Sequence, residues 1–279
     1  AGVYSSPSVS GGLVFVGSED QYIYALDQYT GELKWRYKTG DWVMSSPSVS
    51  GGLVFVGSED QYIYALDQYT GELKWRYNTG GEVWNSPSVS DGLVFVQSSS
   101  INTGYVNENY IYALDQYTGT LKWRYKTEFF TESQRSSPSV SDGLVFVGSG
   151  DSYIYALDQY TGTLKWRYKT GSVVWSSPSV SDGLVFVQST DNYIYALDQD
   201  TGKLKWRYNT GGGVFSSPSV SGGLVFVGSD DDYIYALDQY TGELKWRYNT
   251  GGGVFSSPSV SGGLVFVGSY DDYIYAFGD

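Results

Sequence analysis

The side chains able to do chemistry in this chain are carboxylates, a few amides and one arginine set among aromatics. The 279 residues contain 30 Asp and Glu, 17 Lys and Arg, and no His or Cys, for a net charge of −13. Without His or Cys, no Ser-His-Asp or Cys-His nucleophile can be assembled. Zinc, haem-His and iron–sulfur centres lack their usual ligands as well. A metal would need oxygen ligands, which points to calcium or magnesium. Asp230, Asp231, Asp232, Asp271 and Asp272 form the best calcium candidate, although their spacing is not that of an EF-hand. Paired carboxylates can do general acid–base work, for example on a glycan, and Glu82, Glu128 and Glu132 are the acids to consider. The acidic balance argues against a nucleic-acid partner, which needs a basic footprint. No quinone or other cofactor is expected.

These residues sit on a tandem repeat. All seven prolines lie in an S/N-S-P-S-V-S motif, at Pro7, Pro47, Pro87, Pro138, Pro178, Pro218 and Pro258, spaced by 40, 40, 51, 40, 40 and 40 residues. Repeats run over about 1–40, 41–80, 81–128, 129–170, 171–210, 211–250 and 251–279, read as one domain over 1–279. A period near 40 built from short strands and glycine turns reads as an all-β, seven-bladed β-propeller of four-stranded antiparallel blades. In the first repeat the pattern predicts strand A at 6–10, strand B at 13–16, strand C at 22–26 and strand D at 33–37. The unbroken apolar run of B implies burial on both faces. In D, Leu33, Trp35 and Tyr37 alternate with Lys34 and Arg36, which suits an outer edge.

The segment Ala25-Leu26-Asp27-Gln28-Tyr29-Thr30-Gly31-Glu32-Leu33-Lys34-Trp35 fits A-x-D-x-x-T-G-x-x-x-W, and the pattern recurs six times. It resembles the tryptophan-docking motif of PQQ-like repeat β-propellers, a family that includes quinoprotein dehydrogenases and the lipoprotein scaffold of outer-membrane barrel assembly. The resemblance implies that Trp35, Trp75, Trp123, Trp166, Trp206 and Trp246 pack between neighbouring blades and that Asp27 and its repeats order the C–D turn. The dehydrogenase branch carries eight blades and a vicinal disulfide. This chain has seven repeats and no Cys, so quinone binding does not follow.

The last repeat stops at Tyr275-Ala276-Phe277-Gly278-Asp279 and lacks strand D. Strand C of blade seven then forms an open edge, through which another chain could add. The chain begins Ala-Gly-Val-Tyr, without an initiator Met, as expected of a processed product. No apolar run reaches the roughly 20 residues that span a bilayer. An extracellular or cell-envelope location is expected.

Differences between repeats are one-sided. The A–B and C–D turns are nearly uniform, whereas the B–C loops and D–A linkers vary. Of the eleven extra residues in the 51-residue spacing, eight fall in the B–C loop of blade three, around 101–107, and three in the linker 127–135. The residue three before each proline is Tyr4, Met44, Trp84, Arg135, Trp175, Phe215 or Phe255, and is expected to ring a channel mouth. Gln97 and Gln188 replace a recurrent Gly, and Asn85 replaces a Ser. Trp84, Asn85, Gln97, Arg135, Trp175 and Gln188 therefore form the candidate binding patch, with Tyr4, Phe215 and Phe255 beside it. Aromatics, amides and one Arg suit recognition of a protein, peptide or carbohydrate more than bond-breaking. The expected function is a non-catalytic binding or assembly scaffold. A carboxylate-based glycan-active enzyme and an engineered or recently amplified repeat protein are the alternatives.

Overall fold

A computed structural model of the chain describes residues 2–99, 109–128, 136–213 and 216–278. It contains seven antiparallel meander sheets with strands in the order A-B-C-D, six four-stranded and the last three-stranded, and no helix among the described residues. These are the blades of a seven-bladed β-propeller. In blade one the strands are Ser8–Ser10, Leu13–Gly17, Tyr22–Asp27 and Leu33–Lys38. Strand A thus starts two residues later than the sequence pattern suggests, just beyond Pro7, whose ring cannot donate a ladder hydrogen bond. The chain divides into two compact units. One is Ala1–Val140 with Gln159–Thr163, the other Ser141–Asp158 with Leu164–Asp279.

Turn chemistry fixes the registers. The two-residue A–B turns are Gly-Gly or Asp-Gly with φ positive at both positions, for example Asp91 at 48° and Gly92 at 74°. That backbone matches the right-handed twist of a hairpin. In the C–D turn, Asp27 Oδ1 accepts the backbone N–H of both Tyr29 and Thr30 at 3.0 Å. Lys34 reaches the same carboxylate at 3.1 Å across a bulge in the C–D ladder. The Thr30 and Tyr29 amides, then Lys34, hold the Asp27 carboxyl down to about 2.

Blades join by three repeated devices. The first is apolar: Leu53, Phe55, Ile63, Ala65 and Trp75 of blade two pack on Val94, Val96, Tyr112 and Leu114 of blade three. The second is a clasp on tryptophan. In the first unit, Trp35, Trp75 and Trp123 donate Nε1–H to the carbonyls of Gln68, Gln116 and Gln159 in the next blade at 2.9–3.0 Å. In the second unit, Trp166 and Trp206 do the same to Gln199 and Gln239. Each glutamine also reaches back to the A–B turn of the preceding blade, as Gln68 Nε2 does to the Ser10 carbonyl at 3.1 Å. The turn glycine lies flat on the tryptophan ring: a Cβ on Gly71 would meet Trp35 at 2.7 Å. The third device is a serine belt. Ser6 N–H donates to Ser46 Oγ at 2.8 Å, Ser46 N–H to Ser86 Oγ at 3.2 Å, and Ser86 N–H to Ser137 Oγ at 3.0 Å. The hydroxyls of Ser8, Ser48 and Ser88 donate to the carbonyls of Pro47, Pro87 and Pro138.

Gly31 and Gly71 separate backbone strain from crowding. Both have φ near 70°, at 72° and 71°, but a Cβ at Gly31 meets nothing within 4 Å. Gly31→Ala should cost only the left-handed penalty of about 1–2 kcal/mol. Gly71→Ala should cost about 1–3 kcal/mol more, from overpacking against Trp35. Urea unfolding of the two variants measures the difference.

Candidate functional site

The variable face is built where B–C loops meet D–A linkers. Glu59 N–H of the blade-two B–C loop donates to the carbonyl of Trp42 in the preceding linker at 3.0 Å. Glu82 and Ser99 exchange two backbone bonds, 3.0 and 3.2 Å. The second pair depends on the insertion in blade three. Its strand B runs Leu93–Ser99 and its strand C Asn109–Asp115, each longer than in blade one. The remainder of that loop, 100–108, and the linker residues 129–135 lie outside the described residues. Arg135, Glu132 and Phe215, named from the sequence, fall there too.

Within the first unit, Asn85 and Gln97 come together, with Asn85 Nδ2 at 3.4 Å from Gln97 Oε1. Both are buried, at 3% and 0% exposure. Asn85 takes the place of a serine whose hydroxyl elsewhere bridges strand B, as Ser5 Oγ does to the Gly17 amide and carbonyl at 2.8 and 3.0 Å. A residue larger than Gly at this point needs room. At Gly17 a Cβ would meet Val43 at 2.5 Å. Asn85 and Gln97 therefore shape the floor of the loop face and do not present their amides to solvent. Beside them Trp84 is half-buried, and its indole N–H is enclosed without a partner among the described residues. Tyr4 is 67% exposed.

Within the second unit, Gln188 is also buried, at 0% exposure. Ser176 Oγ bonds its backbone N–H and C=O at 2.8 and 3.0 Å, and Ser216 Oγ donates to its Oε1 at 3.2 Å. Trp175 and Phe255 are half-buried, and Phe255 packs on Tyr270 with ring centroids 4.5 Å apart.

The acidic B–C residues serve the hairpins. Asp60 Oδ1 accepts from Tyr62 N–H at 3.1 Å, while Oδ2 accepts from Tyr64 Oη at 2.5 Å and Gly40 N–H at 2.6 Å. Asp231 and Asp271 bind Tyr233 and Tyr235, and Tyr273 and Tyr275, in the same way. Asp232 and Asp272 hold the left-handed turn position, with φ of 71°. No group of three or more acidic side chains suited to a metal occurs among the described residues.

Two features were not foreseen from sequence. One is a groove of about 720 Å³ in the first unit, lined by the Ser-Val-Ser strands A, including Ser8, Ser10, Ser48 and Ser88. The alternation of small polar residues in every strand A was its only signal. The other is Glu59. Burial first, then the charges of Glu82, Asp41 and Glu19, lift its carboxyl to about 7. Burial and Asp41 push Glu82 upward as well.

A profile described as outer membrane protein assembly factor BamB matches residues 1–102, 41–138, 107–215 and 209–278. The chain belongs to this BamB-like PQQ-repeat family. No curated protein gives a significant match. Among solved structures, BamB from Moraxella catarrhalis is similar at 21% identity and a TM-score of 0.82, over 99% of this chain and 83% of that one. Quinohemoprotein alcohol dehydrogenase from Comamonas testosteroni is similar at 18% identity and a TM-score of 0.82. The related enzyme ADHIIG from Pseudomonas putida HK5 gives 18% and 0.78. The chain spans 65% of the length of either dehydrogenase and is covered over 99% of its own. At these identities the likeness is one of fold.

Glu59 sets a pH dependence. Its folded pKa, about 7, lies above the ordinary 4.5, so the folded state holds a proton that the unfolded chain releases between those values. The fold therefore loses stability as pH rises from about 4.5 to about 7; this penalty is absent below that window and complete above it. Glu59→Gln should flatten this part of the profile. Discounted for partial exposure to about 1 kcal/mol, the change should raise the thermal midpoint at pH 8 by roughly 2–4 °C and leave it unmoved at pH 4. Calorimetry at the two pH values checks the sign.

Proposed function

We propose that the chain is a non-catalytic scaffold that binds extended polypeptide segments through its B–C/D–A loop face, in the cell envelope. The single observation that carries this reading is the match of an assembly-factor family over the whole chain. The one-sided variation supports it. Turns on the uniform face are occupied by blade-to-blade bonds, while the variable face carries half-buried Trp84 in one unit and Trp175 in the other. Aromatics of this kind give large contact area at low conformational cost. No cofactor enters this reading, and calcium should leave the thermal midpoint unmoved. A rise abolished by Asp231→Asn would overturn that part.

The test is an array of strand-like peptides and glycans probed with the protein and with a Trp84→Ala/Arg135→Ala/Trp175→Ala variant. Peptide binding weakened about tenfold or more in the variant supports the reading. Equal binding by both proteins, or binding to glycans alone, overturns it.

A second reading, a carboxylate-based glycan-active enzyme, is favoured by Glu59 alone, whose carboxyl near 7 matches the requirement for a general acid at neutral pH. Hydrolysis of an arrayed glycan that is lost in Glu59→Gln and Glu82→Gln would support it over the scaffold reading. Absence of hydrolysis removes it.

A further inference from the structure

Charge is sorted by element in this chain. Fifteen of the 17 Lys and Arg lie on the six D strands, and none of the 30 acids does. The acids sit at the ends of the C strands, in turns and in linkers. Each D strand is thus a local basic edge in a chain of net charge −13.

In the first unit the edge of blade three shows the arrangement. Its strand D, Leu121–Lys126, is the last strand of its sheet, and nothing among the described residues pairs with its outer side. Arg124 stands opposite Tyr112 and Lys126 opposite Tyr110, whereas Trp123 and Tyr125 stand opposite Ala113 and Ile111. Alternation therefore puts exposed Arg124 and Lys126 on one flank, and Trp123 with half-buried Tyr125 on the other. Leu121, before the bulge, is 37% exposed. The Arg124 guanidinium lies 4.7 Å from the centre of the Tyr110 ring and Lys126 Nζ 5.9 Å from it, so both cations are held beside the edge. Lys122 is employed differently, on Asp115 at 3.0 Å. Blade four, in the second unit, has the same edge. Arg167 and Lys169 lie 4.6 and 5.8 Å from the Tyr153 ring, and Leu164 is 40% exposed. Blade one also ends strand D in Lys, Lys38, whereas blades two, five and six end it in Asn78, Asn209 and Asn249.

We infer that the D strands ending in Lys take up, by strand addition, an extended segment of a partner protein in which acidic and apolar residues alternate. An unpaired edge offers alternate N–H and C=O groups, and an added strand satisfies them. The acids of that segment come within about 5 Å of Arg124 and Lys126, and its apolar residues fall beside Trp123 and Tyr125. Charge selects the occupant. Two cations on one flank attract an acidic strand and repel another D strand, whether of this chain or of a second copy. A polyanion or an anionic lipid surface would meet the cations but leave the backbone edge and the apolar flank unused. Exposed ion pairs are weak and screened by salt, so the backbone bonds supply most of the affinity and the charges supply the choice. The surface is separate from the loop face, and the inference is independent of the reading given above.

Fluorescence anisotropy of the full chain with a labelled peptide of alternating Glu and Val tests it. The peptide should bind, and more weakly as salt rises from about 50 mM to about 0.5 M. A Lys/Val alternate, a peptide with the same Glu and Val in two blocks, and a Glu/Val alternate with every second amide N-methylated should each bind at least about tenfold more weakly. The variant Lys38→Asn/Lys126→Asn/Lys169→Asn gives three edges the residue that the other three already have, so the fold is kept; circular dichroism checks this. Its affinity should fall about three- to fivefold. Trp84→Ala/Trp175→Ala should bind as wild type does. Failure of the wild type to bind the Glu/Val peptide overturns the inference. Equal binding of the block or N-methylated peptide does so too, by reducing the contact to charge alone. So does wild-type affinity in the Lys→Asn variant, or loss of binding in the Trp variant, which would assign the peptide to the loop face.

Discussion

Everything in this fold depends on the way one blade's tryptophan is finished by the next blade. The indole is made on strand D, but its N–H acceptor, the Gln carbonyl, and the surface that covers its ring, the turn glycine, both come from the following repeat. A blade therefore cannot complete its own core. The Asp of the same turn acts at one remove: by gathering two amides and a lysine it holds the loop in the shape that brings Gln and Gly against the ring. Local turn chemistry is thus converted into contact between repeats. At Trp246, which no such turn covers among the described residues, the indole is only half-buried and lines a cavity of about 690 Å³ together with Phe226, Tyr248 and Phe277.

The architecture was legible because each element is stated six or seven times. Strand positions came from the alternation in Leu33–Tyr37, from the apolar run Leu13–Val16, and from the paired residues of the A–B turns. The family resemblance added the role of tryptophan. It did not reveal what Gln68 and Gly71 do, since a single repeat contains no information about which face meets its neighbour. The serine belt was hidden for the same reason: Ser6 and Ser46 are 40 residues apart in sequence, and only stacking makes them partners.

The candidate site was less legible. Asn85, Gln97 and Gln188 stood out because they break a pattern, and a break in pattern on a repeat scaffold suggests exposure and function. Their burial shows another cause. At this point strand B runs close beside the following linker, as Gly17, Gly57 and Gly228 do beside Val43, Val83 and Val254, so a larger side chain here is taken up by packing inside the blade. Conversely, Glu59 drew no notice because Glu19 occupies the same place in blade one. What distinguishes it is enclosure by Glu82 and Asp41, residues of two different linkers.

The near-identity of the caps has a consequence for how the chain finds its structure. Any Asp-Gln-Tyr-Thr-Gly turn presents the same chemistry to any tryptophan, so during folding a blade can be capped by the wrong neighbour with almost native local energy. Such mispairings are low-lying traps, the hazard of tandem arrays in which the units carry no address. The 51-residue spacing between Pro87 and Pro138 is the main break in that degeneracy. Skipping a blade there leaves a loop of the wrong length. The enlarged segment thereby marks position along the array, a job that identical repeats cannot do for themselves.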